Sequence, residues 1–110
     1  MRRVLFLCSR NQWRSPTAEA IYQSDPRVDV RSAGLSPSAR RRVNEKLLLW
    51  ADIVVVMEHD HKQRLLAQFP DLASGLHMEV LDIPDDYEFM DPELMDLIRE
   101  RVEPVLEQSP

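Results

Sequence analysis

The chain's one cysteine, Cys8, ends the apolar run Val4-Leu5-Phe6-Leu7, and Arg14-Ser15-Pro16-Thr17-Ala18-Glu19 follows after five residues. A charged start followed by a continuous apolar run reads as a short buried strand over residues 3–7. Ser15 as a cap, Pro16 at the first helical position and acidic Glu19 in the first turn read as a helix start. Ser9-Arg10-Asn11-Gln12-Trp13 is then a strand-to-helix turn. The free N–H groups of a first helical turn point back into such a turn and, with the positive end of the helix dipole, make an anion site. This junction restricts the chain to folds in which a strand feeds a helix directly.

A thiol at that place changes character. A free cysteine titrates near about 8.5, and a helix N-terminus with adjacent cations brings it to roughly 3.5–7.5. Cys8 is therefore expected to react as a thiolate and to attack phosphorus in line, forming a phospho-cysteine. Arg14 can bond two phosphate oxygens at once through its planar fork and stays charged at every working pH. Donors aimed at the equatorial oxygens stabilise the charge of the transition state. The Ser15 hydroxyl can reach the Cys8 sulfur, and Asn11 tolerates the left-handed backbone that a tight loop needs. A lone cysteine after a strand is more often an inert buried thiol. The strand before it and the Ser-Pro helix start after it carry the sharper reading.

These residues resemble the low-molecular-weight protein tyrosine phosphatase family, which opens with a strand and a Cys-x5-Arg-Ser-Pro loop. Arg31-Ser32-Ala33-Gly34 is similar to the family's Ser-Ala-Gly after the second strand. Ala51-Asp52-Ile53-Val54-Val55-Val56-Met57-Glu58, followed by His61 and Leu65, is a third likeness. Ile83-Pro84-Asp85-Asp86-Tyr87 resembles the Pro-Asp-Pro-Tyr loop that carries the family's general acid. The resemblance implies a nucleophile at Cys8, a phosphate clamp at Arg14 and a general acid at Asp85. It implies loop support from Asn11 and Ser15 and an aromatic substrate wall at Tyr87. It also implies no cofactor, a phosphorylated protein or small aryl phosphate as substrate, and inhibition by oxyanions such as phosphate or vanadate.

The departures mark a compact, divergent member. Arg10 stands where the family commonly has glycine, so it strains the loop or adds a second cation facing substrate. Trp13 replaces a second cysteine found in many members, removes the usual disulfide partner of the nucleophile and is a further candidate for the pocket wall. Asp86 replaces the proline of the acid loop. The chain is tens of residues shorter than typical members, with the shortening between Ser-Ala-Gly and the third strand.

At 110 residues the chain is expected to form a single phosphatase-like domain over residues 1–110. An apolar fraction of 44% suffices for one modest core. There is no apolar run long enough to span a membrane, and the apolar stretch after Met1-Arg2-Arg3 is too short for a signal peptide. One unpaired cysteine fits a reducing cytoplasm and excludes a disulfide framework or a cysteine zinc site. The net charge of −5 divides into +6 for residues 1–50 and −11 for residues 51–110. The basic half carries the proposed loop and attracts anions, while the acidic half argues against nucleic acid as a partner.

Along the chain, helices are expected over 15–23, 39–50, 59–68 and 92–106, and strands over 3–7, 27–32, 52–57 and 78–83. Four strand–helix alternations imply an α/β three-layer sandwich: a four-stranded parallel sheet with helices on both faces. Ligands of such sheets bind at the carboxyl ends of strands. Cys8, Met57 and Asp85 all follow strand ends and so belong to one edge.

Asp86 and Asp91 compete with Asp85 as general acid, although Asp91 before Pro92 reads as a helix cap. His59 and His61 point to different helix faces, which argues against a metal site. Arg40-Arg41-Arg42 on a helix would point three ways and reads as solvated surface, and Trp50 reads as core. The leading function is a cysteine-dependent phosphatase for phosphotyrosine or related aryl phosphates. The alternatives are a phosphate- or phosphoprotein-binding module that has lost turnover through Arg10 and, ranked last, an arsenate reductase dependent on an external thiol. Burst release of nitrophenol from nitrophenyl phosphate separates the first from the second.

Overall fold

The computed structural model describes residues 1–108. Strand β1 (Arg2–Cys8) leads to helix α1 (Arg14–Tyr22), then β2 (Val28–Gly34), α2 (Glu45–Trp50), β3 (Ile53–Val56), α3 (His59–Gln68), α4 (Pro70–Ser74), β4 (His77–Val80) and α5 (Pro92–Glu107). All pairings are parallel and the strand order is β2-β1-β3-β4. The expected sheet is present, with helices on both faces.

The two central strands read as unbroken apolar runs because both of their faces are covered. Val4, Phe6 and Cys8 of β1, with Ile53 and Val55 of β3, point to one face, where α1 and α5 cover them through Ala18, Tyr22, Leu94, Ile98 and Val102. Leu5, Leu7, Val54 and Val56 point to the other face, against Leu47 and Leu48 of α2, Leu65 of α3 and Ala73 of α4. Strand order reverses between β1 and β3, and the crevice at their carboxyl ends is where such sheets take ligands. Trp50 lies at the edge of the second cluster, half-buried, with the Arg31 guanidinium 4.3 Å from its ring centre.

Three differences from the expected boundaries bear on the site, besides shifts of one or two residues at other element ends. The helix expected over 39–50 begins only at Glu45, where the Asn44 side chain caps it by accepting from Leu47 N at 2.9 Å. Residues 36–43 instead lie along the β1–α1 turn, with Ser36 N donating to Ser9 O and Arg40 N to Arg10 O. Pro70 does not merely end α3; it starts the short helix α4, where its missing N–H costs nothing. Strand β4 stops at Val80, but Leu81 N still donates to Val56 O and Ile83 N to Met57 O, so the chain runs on beside β3 towards residue 85.

Gly34 ends β2 against the turn. A Cβ there would sit 2.6 Å from Ser9 O and 2.7 Å from Ala39 Cβ. Neither atom is a flexible side-chain tip, so Gly34→Ala has to push the turn off the sheet. It should destabilise the protein by about 1–3 kcal/mol in urea unfolding and weaken vanadate affinity.

Candidate active site

Cys8 is the last residue of β1, buried at 3% exposure, and the turn over residues 9–13 leads from it into α1. Helix α1 begins at Arg14 with Trp13 at its cap position, where no side chain caps it. The first turn therefore keeps its N–H groups free. Among the described residues, no protein acceptor takes the N–H of Ser9, Arg10, Asn11, Gln12, Trp13 or Arg14. Such a run of unspent donors at a helix start is an anion nest.

Asn11 has φ 55°, the left-handed conformation anticipated for it, and is fully buried. Its Nδ2 donates to Ser15 Oγ at 2.9 Å and to Ser32 Oγ at 3.0 Å, and Ser32 Oγ donates to Glu19 Oε1 at 2.6 Å. Ser15 Oγ is 2.9 Å from Cys8 Sγ and 3.3 Å from Ala33 O. Because Asn11 already donates to Ser15, the single hydroxyl proton is free for the sulfur, the nearer of its two acceptors. This network explains two differences from expectation. Ser15 lies inside α1 with its hydroxyl committed to the site, so it does not cap the helix. Glu19 sits beyond the first turn and anchors Ser32 instead of serving the helix dipole. Asn11 Oδ1 is buried without a partner among the described residues, a cost the network carries.

Arg14 is 3% exposed. Its Nη1 donates to Glu58 Oε2 at 2.7 Å and to Ile83 O at 2.8 Å. That leaves the other edge of the guanidinium towards the cavity, with Nε 3.6 Å from Asp85 Oδ1. Glu58 follows β3 and Ile83 follows β4, so the arginine is fixed by two neighbouring strand ends. Glu58 is itself fixed by His61: the Glu58 side chain accepts from the His61 backbone N–H, and Glu58 N donates to His61 Nδ1 at 3.1 Å. Sequence reasoning placed Glu58 inside a likeness without a role. The readable signal was the i, i+3 pair at a helix start, in the position of a capping box.

A cavity of about 260 Å³ opens above the sulfur, lined by Cys8, Ser9, Arg10, Gln12, Trp13, Arg14 and Asp85. Asn11 and Ser15 support it from behind. Among the three candidate aspartates only Asp85 lines it; Asp91 caps α5, its Oδ1 accepting from Glu93 N at 2.9 Å. Tyr87, expected as a wall, does not line the cavity. It packs against the core cluster that α5 covers, where burial raises its phenol above the ordinary value. The aromatic side of the cavity is Trp13. Arg10 introduces no left-handed strain, since the positive φ in the turn falls on Asn11; it lines the cavity as a second cation. Two further arginines, from distant elements, steady the turn. Arg40 Nε donates to Asn11 O at 3.2 Å and Arg64 Nη1 to Ser9 Oγ at 3.2 Å. Arg40 is exposed, in line with its reading as solvated surface, and its guanidinium adds this bond to the turn. His59 is exposed while His61 is buried, and no cluster suited to a metal occurs among the described residues. No helix among those residues is long and apolar enough to cross a membrane.

No protein-family model matches the chain. A curated relative, the protein-arginine-phosphatase of Bacillus subtilis, is 30% identical over 88% of this chain and 92% of its own length. Among solved structures, the low-molecular-weight protein tyrosine phosphatase of Streptococcus pyogenes superposes with a TM-score of 0.80 at 18% identity, covering 99% of this chain and 95% of that one. Vibrio vulnificus Wzb, solved in complex with benzylphosphonate, superposes with a TM-score of 0.77 at 22% identity, covering 96% and 97%.

His61 supplies a prediction for this site. Burial, and then the neighbouring Arg14, push its pKa down from 6.5 to about 4, outweighing the pull of Glu58. A depressed value in the folded state means that the ring's contribution to stability is fully present above about pH 6.5. That contribution is lost as the pH falls through 4. Urea unfolding should show His61→Asn losing less stability than the wild type between those limits, by up to about 3 kcal/mol.

Proposed function

The chain belongs to the low-molecular-weight protein tyrosine phosphatase family and is a cysteine-dependent phosphatase; we propose that its substrate is phosphotyrosine or a related aryl phosphate, turned over at Cys8. The observation that carries this reading is that Cys8 lines one cavity with Arg14 and Asp85 and opens a turn whose six backbone N–H groups, Ser9 to Arg14, are unspent. Phosphate oxygens take the N–H groups and the free edge of Arg14. The Cys8 thiolate attacks phosphorus opposite the ester oxygen, and Asp85 gives that oxygen its proton as the bond breaks. Asp85 then takes a proton from water, which attacks the phospho-cysteine. The departing sulfur is met by the Ser15 hydroxyl at 2.9 Å. The turn donors and Arg14 are in place before reaction, so little reorganisation is needed as charge builds on the equatorial oxygens. Trp13, 41% exposed, offers a flat face to the substrate's ring.

A second reading, phosphoarginine, is favoured by the name of the Bacillus subtilis relative. Asp85 at the cavity would complement a guanidinium, and Trp13 can stack on that plane as well as on a phenol. Two peptides of identical flanking sequence, one carrying phosphotyrosine and one phosphoarginine, decide between the readings by their kcat/KM.

Nitrophenyl phosphate should give a burst of nitrophenol, abolished in Cys8→Ser. Asp85→Asn should slow esters with poor leaving groups by about 100-fold or more, with a much smaller effect on nitrophenyl phosphate. If Asp85→Asn keeps full turnover on poor leaving groups while Asp86→Asn loses it, the acid is Asp86. Arg14→Lys keeps the charge but loses the two-point grip, and should lower kcat by about 10²-fold.

A further inference from the structure

Beside the catalytic cavity lies a second, shallower groove of about 500 Å³. Trp13, Pro16, Ala20 and Phe89 supply its apolar lining, beside the polar Gln12, Glu19, Gln23 and Arg40. The two hollows share Gln12 and Trp13, so they adjoin at these side chains. Phe89 is 53% exposed, Trp13 41% and Met90 38%, which gathers three of the five exposed large apolar side chains of the described residues at one place.

The display of Phe89 is built into the backbone. Met90 N donates to Thr17 Oγ1 at 2.9 Å, and Thr17 Oγ1 donates to Trp13 O at 2.6 Å. One hydroxyl thus ties the segment that carries Phe89 to the helix start that carries Trp13. Met90 also has φ 61°, a conformation unfavourable for a side chain of its size. The tether and the turn at Met90 hold the segment that carries Phe89 against the start of α1.

We propose that this groove is a specificity subsite for a protein substrate, receiving a large apolar side chain that neighbours the phosphorylated residue. The proposal rests on the phosphatase reading above and adds the substrate class to it. Continuity with the cavity selects this occupant: once the phosphate is seated, the flanking chain has to cross Trp13, and the apolar lining lies just beyond. Phe89 takes no part in phosphate binding or proton transfer, so its contribution falls on substrates long enough to reach it.

The test uses two phosphotyrosine peptides that differ only in having leucine or serine on both sides of the phosphotyrosine, with nitrophenyl phosphate as a substrate too short for the groove. Wild-type protein should prefer the leucine peptide by about tenfold in kcat/KM, mostly through KM. Phe89→Ala should erase that preference and leave nitrophenyl phosphate turnover unchanged, and Phe89→Leu should restore most of it. Binding of both peptides to Cys8→Ser and to Cys8→Ser/Phe89→Ala, read by fluorescence polarisation, follows the groove independently of turnover. Loss of nitrophenol release in the wild type would sink the phosphatase reading while leaving this binding comparison informative. Equal affinity for the two peptides, or equal losses on all three substrates in Phe89→Ala, would overturn the subsite. So would a concentration-dependent dimer in sedimentation that Phe89→Ala dissolves without touching peptide preference, since the groove would then belong to a second copy.

Discussion

The buried guanidinium of Arg14 ties the site together. It sits at the head of α1 and is anchored by a carboxylate after β3 and a carbonyl after β4. A charge buried this deeply is tolerated only if it is paired and fully bonded, and removing one partner of such a pair commonly costs about 3–5 kcal/mol. Glu58 is 40% exposed, which tempers that figure, since water reaches the carboxylate side of the pair. The geometric effect does not depend on the energy. With Nη1 committed to Glu58 and Ile83, the guanidinium plane cannot rotate, and its remaining edge faces the cavity that Cys8 and Asp85 share.

Around this anchor, the short β1–α1 turn is stabilised from outside. An anion nest keeps its donors unspent, so it cannot stabilise itself through its own N–H groups. Its carbonyls and side chains do that instead: Ser9 O, Arg10 O and Asn11 O accept from Ser36, Arg40 and the Arg40 side chain, and Ser9 Oγ accepts from Arg64. The segment over residues 36–43 thus stands in place of regular structure, and Gly34 is the hinge of that packing because a Cβ there would collide with Ser9 O. A compact chain can hold a turn with unspent donors because so few residues suffice to brace it.

His61 extends the same economy. Buried and held neutral, its ring accepts from the Glu58 backbone while its own backbone N–H is taken by the Glu58 side chain. The reciprocal bonds fix the carboxylate that fixes the arginine. This is a structural role for a histidine whose Nε2 lies 3.7 Å from the carboxylate that holds Arg14.

Much of the architecture was legible in the residues themselves. Continuous apolar runs in residues 4–7 and 53–57, short and rich in β-branched residues in the second case, read as strands covered on both faces, and a cysteine followed by a short polar turn and Arg-Ser-Pro reads as a strand-to-helix junction with free donors. Asn11 in a left-handed turn and Asp91 as a cap are likewise local properties, set by side chains acting on their own backbone. Contacts across strand ends were not legible, because sequence spacing carries no information about which side chains meet after folding. The pairing of Arg14 with Glu58, the bracing by Arg40 and Arg64, and the start of α2 only after Asn44 were all decided by contacts between segments far apart in the chain. The place of Tyr87 was likewise not legible: it packs, partly buried, against the cluster that α5 covers, a contact that exists only once α5 has docked.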